Sequence, residues 1–464
     1  MIFSSIEFLL GFLPVFLLLY WMTPAKAKNL TLLSGSLVFY ALGEPQYLIL
    51  LMVSVVVNYF LGLHLGQGAR KRSKDKRQKK SKFELKRKIL FIAAVAGNVG
   101  VLVLFKSGMA DGNLPIGISF YTFQILSYLT DVYRGEEARE PSFVRLATYI
   151  TMFPQLISGP IVHYGEVRDS LKQREFTAEG VQDGLKVFTV GLVLKVLLAD
   201  RIGLLWREVQ VTGFESISTP LAWMAAVAYS LKIYFDFYGY SLMAMGLGRM
   251  LGFELPENFR NPYMARSVRD FYRRWHITLG RWFCKYVYIP LGGNRKGEFR
   301  TVCNLLAVWF LTSIWHGSTG NFLIWGMLLW LFIVMERQLE ALGLLKVFEK
   351  KGLRLLPHLY LWVVIPITWM CFAITDVSEL HVYLGRMFGT VEGIRVSAGD
   401  WLKALKNYGG LFAVGGLACT PALQKLFRKG KDSLPGILIL VVLFWLCVWR
   451  LQVEGQNPFM YLRF

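Results

Sequence analysis

MIFSSIEFLLGFLPVFLLLYWM, residues 1–22, holds one acid, Glu7, and is followed by no Lys or Arg before Lys26. A straight helix needs roughly 20 apolar residues to cross a bilayer, so residues 2–22 are predicted to span. A cleaved leader carries positive charge in front and a small-residue site behind. The stretch has neither and is expected to be retained, with Lys26 and Lys28 on the cytoplasmic side and the N-terminus outside. Further apolar runs follow at about 30–42, 46–65, 89–106, 115–132, 145–163, 181–199, 219–250, 301–316, 321–339, 358–376, 405–420 and 434–450. The first of these is short, and 219–250 is long enough to bend or re-enter. The pattern predicts an all-α, polytopic membrane protein with eleven to thirteen crossings and one domain over residues 1–464.

Composition agrees. Of 464 residues, 54% are hydrophobic and 18% charged, whereas a soluble domain has about 25% charged residues. Lys and Arg number 52 against 31 Asp and Glu, a net charge of +21. That charge falls in short loops between spans, the pattern that orients membrane proteins, and argues against nucleic acid as a partner. The loop at 67–88 carries twelve Lys or Arg against Asp75 and Glu84. It reads as a solvated cytoplasmic tether able to meet anionic lipid. Five scattered cysteines without a CxxC pair support neither a disulfide framework nor a metal site.

A second basic region differs in kind. Residues 255–300 are too polar to span and too aromatic for a free loop, and read as a cytoplasmic-side interfacial or re-entrant segment. From Arg260 to Arg300 ten Lys or Arg and two acids alternate with aromatics. Within it, helical spacing puts Arg269, Arg273 and His276 on one face, suited to gripping an anion beside a histidine. His316 stands in LTSIWHGSTGNFLIWG, residues 311–326, about 22 Å along a helix that enters near Thr301. Gly317 and Gly320 break that helix. An ionisable group at such depth marks function, and burial favours the neutral imidazole that can accept a proton. Asp236, alone in an apolar run, is expected to be paired inside the bundle. His163 follows SGPIV at a span end and could line a passage. His64, His358 and His381 sit at span ends or on the surface. No phosphate loop of the GxxxxGK[ST] type and no GxSxG elbow occur, so ATP-driven pumping and ordinary serine hydrolysis lack support.

Several blocks resemble the membrane-bound O-acyltransferase family, in its bacterial alginate O-acetylation branch: PIGISFYTFQILSYLTDVYRG, YFDFYGYSLMAMGLGRMLGFELPENFRNPY, FYRRWHITLGRWFCKYVYIPLGGNR and SIWHGSTGNFLIWG. The likeness runs from the first residues to the terminal NPFMYLRF. It departs at Leu242, where the family pattern has an aspartate. The resemblance implies a ring of helices around a central channel. It implies that His316 is the catalytic histidine and His276 a second functional position, orienting the donor or taking part in acyl relay. Trp315, Gly317, Asn321 and Asp236 are expected to shape the site, and Arg269, Arg273 and Arg274 to dock the donor. No bound cofactor or metal is expected. The donor is a cytoplasmic acyl thioester, acetyl-CoA or an acyl carrier. The acceptor is an exported polysaccharide, reached directly or through an extracytoplasmic SGNH-type acetyltransferase. D-alanyl transfer to teichoic acid and a non-enzymatic export role are the rival readings. The resemblance implies a multi-pass protein of the cell (plasma or inner) membrane.

Overall fold

The computed structural model describes residues 1–66, 77–109, 114–157, 159–350, 352–394 and 396–455, without the side chains of 77–81 and 349. Much of the basic loop, 67–76, and the terminal NPFMYLRF lie outside the described residues. Helices dominate. The only β pairing among the described residues is an isolated antiparallel bridge between Phe259 and Trp275.

Among the described residues, five helices are each long and apolar enough to cross a membrane: Pro45–Leu65, Lys82–Lys106, Gly320–Ala341, Leu356–Ala373 and Leu434–Glu454. A sixth arises if Asp400–Ala418 and Pro421–Gly430, bent by 77°, form one broken span. The remaining apolar runs fold as shorter or less apolar pieces. Residues 7–22 make a wide turn, Glu7–Phe12, running into Leu13–Met22. The 145–163 run is broken: Phe143–Thr151 stops, Phe153–Leu156 gives one turn, and helix resumes at Tyr164–Lys172. Pro154 and the Gly159-Pro160 pair explain the break, and irregular backbone at depth is tolerated where it is buried in protein. The 219–250 run, by contrast, is one continuous helix of 32 residues.

The chain divides into two compact units, residues 1–188, 240–256 and 451–464 in one and 189–239 and 257–450 in the other. The first has an aromatic core in which Phe3, Phe8, Phe12 and Phe39 meet Phe153, with Phe3 stacked on Tyr240 at 4.7 Å. The helices Ala178–Val193 and Thr219–Met250 approach through glycine. A Cβ on Gly184 would lie 2.5 Å from the Gly246 carbonyl oxygen, and in the second unit one on Gly239 would lie 2.6 Å from that of Gly191. Both glycines on each helix are seven residues apart, two turns, so the same stripe recurs and lets the backbones close.

Candidate functional site

His316 is the last residue of the helix Glu298–His316. The Gly317 N–H returns to the Ser313 carbonyl at 3.2 Å, and after the short turn 317–319 the chain re-enters helix at Gly320–Ala341. The two helices pack tightly where Gly326 faces Ser313, because a Cβ there would strike the Ser313 hydroxyl. Asn321, fully buried, ties the turn to the next helix. Its Nδ2 donates to the Phe372 carbonyl at 3.0 Å, and its Oδ1 accepts from the Thr319 hydroxyl at 2.5 Å. The imidazole is 4% exposed and caged by rings: Trp315 at 4.6 Å, Trp325 at 5.0 Å, Phe372 at 5.2 Å and Phe322 at 6.4 Å between centroids.

His276 is placed by different means. The helix expected to carry it, Val268–Arg274, ends two residues too early. Trp275 is extended, and His276 takes left-handed angles, φ 45° and ψ 53°, before Ile277–Phe283 begins. Helical spacing therefore fails at His276, and it does not share the face of Arg269 and Arg273. The cause is pairing with an upstream segment: Arg260 N–H donates to the Arg274 carbonyl, and Ile277 N–H to that of Asn258, both at 2.9 Å. A non-Gly residue in this region costs about 1 kcal/mol, which the surroundings offset. The ring is 3% exposed, with Nδ1 3.0 Å from the Asn258 side-chain oxygen and Phe237 edge-on at 4.7 Å. Burial pushes its pKa down to about 3, so it is neutral in the physiological range.

The three arginines fare differently. Arg269 pairs with Glu340, and Arg274 with Asp270 at 3.0 Å. Arg273 is exposed and makes no ion pair among the described residues. Asp236 is paired, as expected: Lys195, 1% exposed, lies 3.1 Å from it and 2.6 Å from Asp200. Its link to the histidines is indirect, through its neighbour Phe237. His163 caps the helix Tyr164–Lys172, its backbone N–H held by Glu166 at 2.9 Å, which is a structural task. A cleft of about 510 Å³ in the first unit is lined by Glu175, Glu179, Asp183, Arg249 and Glu254, and by none of these candidate residues.

Sequence reasoning missed Asn258, Phe237, Trp325, Trp369 and Phe372. Trp325, Trp369 and Phe372 join the two histidines' neighbourhoods through a run of ring contacts. Trp275 meets Trp369 at 5.0 Å, Trp369 meets Trp325 at 6.3 Å and Phe372 at 5.5 Å, and both reach His316. The aromatic richness of the stretch was visible, but nothing in its spacing named these rings.

Residues 48–374 match the profile of MBOAT, the membrane-bound O-acyltransferase family. The chain is 36% identical over 96% of its length to "Probable alginate O-acetylase AlgI" of Pseudomonas aeruginosa, covering 80% of that protein. It is 32% identical, end to end in both chains, to the protein of the same name in Pseudomonas putida. To the peptidoglycan O-acetyltransferase of Helicobacter pylori it is 34% identical, over 71% of this chain and 69% of that one. The matched region contains both histidines, the short helices between them and the aromatic cage, and the chain belongs to the membrane-bound O-acyltransferase family.

Proposed function

We propose that this membrane acyltransferase moves an acetyl group from a cytoplasmic thioester across the inner membrane, for O-acetylation of an exported cell-surface polysaccharide. The observation that carries the reading is His316, a buried imidazole at a helix break, with aromatic rings packed around it. Relatives named for acetylation of alginate and of peptidoglycan support acetyl as the cargo and a polysaccharide as the final acceptor. Thioester carriers are anionic and cannot cross a bilayer, whereas an acetyl group held within the protein can. Arg273, exposed and without an ion pair, is the first contact for the donor's anionic group, with Arg269 and Arg274 beside it.

His316 accepts the proton of the acceptor hydroxyl as its oxygen attacks the thioester carbonyl. The carbon–oxygen bond forms, the carbon–sulfur bond breaks, and the proton passes to the departing thiolate. The reactive hydroxyl belongs to the polysaccharide or to an extracytoplasmic acetyltransferase of SGNH type that hands the group on. Asn321 and Gly317 hold the turn that presents His316, and Trp315 walls it. His316→Ala is expected to reach the membrane at wild-type level and to leave the surface polysaccharide without acetyl, as read by mass spectrometry of isolated glycans. Wild-type acetylation in that strain would remove His316 from the reaction. Supplying purified protein with acetyl and D-alanyl thioesters in competition tests the cargo.

A further inference from the structure

Asn258 is 1% exposed, and its side-chain oxygen faces three groups. These are Nδ1 of His276 at 3.0 Å, the backbone N–H of Thr278 at 3.3 Å and the hydroxyl of Thr278 at 2.9 Å. A backbone N–H can only donate, so the amide atom it meets is an acceptor. That fixes which way the amide points. An acceptor oxygen in turn needs a hydrogen on Nδ1 of His276, because a bare Nδ1 would set two lone pairs against each other. A neutral imidazole has one such hydrogen, so the lone pair falls on Nε2. That nitrogen is buried and meets no hydrogen-bond partner among the described residues. Buried polar atoms are almost always satisfied, and one left open at a site is a place for a ligand's matching group.

We infer that Asn258 is a positioning residue that locks His276 as its Nδ1–H tautomer, so that Nε2 accepts a hydrogen bond from an O–H or N–H group of the bound ligand. The tautomer follows from the geometry alone; that the ligand is a substrate of acetyl transfer rests on the reading above. The consequence is specific. His276 cannot donate to a thioester carbonyl through Nε2 and so cannot polarise it. Its ligand group carries a hydrogen, either an amide N–H of the donor's arm or a hydroxyl of the acceptor.

The test is 15N magnetic resonance on histidine-labelled protein in lipid bilayers, with the His276 signals assigned by their loss in H276Q. The expected wild-type spectrum has a protonated Nδ1 and an imine-type Nε2. N258D keeps an acceptor oxygen and is expected to retain that tautomer while titrating at higher pH, because its carboxylate stabilises the imidazolium. N258L is expected to move the hydrogen to Nε2. An Nε2–H signal in the wild type, or identical spectra from N258D and N258L, would overturn the assignment. Acetyl-CoA alone and an alginate oligosaccharide alone are then added to the wild type. A shift of the Nε2 signal with one of them identifies the source of the hydrogen; no shift with either overturns the ligand half. None of these readings depends on turnover, so a failure of acetyl transfer leaves the tautomer result standing.

Discussion

The two histidines are buried to nearly the same degree and held in opposite ways. His316 is delivered by regular structure: a helix of 19 residues ends on it, and aromatic rings pack against its sides. His276 sits where regular structure stops, in left-handed backbone between two helices of seven residues each, fixed by the polar grip of Asn258. His316 is positioned by packing against these rings, and the reaction proposed above has it accept a proton and pass it on. An imidazole gripped by an amide has its hydrogen assigned before any substrate arrives. The contrast fits the proposed division of labour, with His316 as the proton acceptor and His276 as a ligand-binding group.

The largest effect that could break this contrast is on rate. His316→Gln is expected to lower acetyl transfer by about 10²–10⁴-fold, the usual worth of a positioned base, with no change in donor binding. Single-turnover kinetics on purified protein measure both, and a matching loss of donor binding would make His316 a binding group too. Next in size is stability. Lys195→Met removes the cation that lies between the buried Asp236 and the half-buried Asp200, beside the helix that carries Phe237, at a cost of about 3–5 kcal/mol. Thermal unfolding in detergent is expected to show it, with partial recovery in K195M/D236N.

Acidity comes third. The His276 pKa is about 3 in the folded chain against an ordinary 6.5, so below pH 6.5 the unfolded chain takes up a proton that the folded one refuses. Its contribution is intact above pH 6.5 and is lost as pH falls from there towards 3, at up to about 1.4 kcal/mol per pH unit. The difference in melting between wild type and H276Q, followed from pH 7.5 to 4.5, is expected to carry that slope; a flat difference would mean His276 protonates in place. The smallest effect concerns the donor. Arg273→Ala is expected to raise the donor KM several-fold while Arg274→Ala, which breaks a local ion pair with Asp270, changes it less. Equal effects would spread docking over the whole cluster.

What the sequence made legible divides along the same line. Apolar runs and a glycine break were enough to place His316 at the end of a helix, because both are properties of chain composition. The pairing of Asp236 could be expected on the same grounds, whereas the run 219–250, long enough to bend or re-enter, forms one unbroken helix. The face shared by Arg269, Arg273 and His276 could not survive, because a helical repeat says nothing about where pairing with residues 258–260 interrupts it. Asn258 was hidden for the same reason. Its role depends on two backbone segments meeting, and no spacing along the chain encodes that. The ion pairs of Arg269 and Arg274 with Glu340 and Asp270 likewise could not be read from residue types, which made the three arginines look alike.

The most direct test is a vesicle experiment. Purified protein is reconstituted with labelled acetyl-CoA on the face that carries Arg273 and a polysaccharide acceptor, with its SGNH-type partner, on the other. Wild-type protein is expected to deliver label to the acceptor while the coenzyme stays where it was added, and His316→Ala protein to deliver none at equal protein content. Delivery by the His316→Ala protein at the wild-type rate would contradict the account.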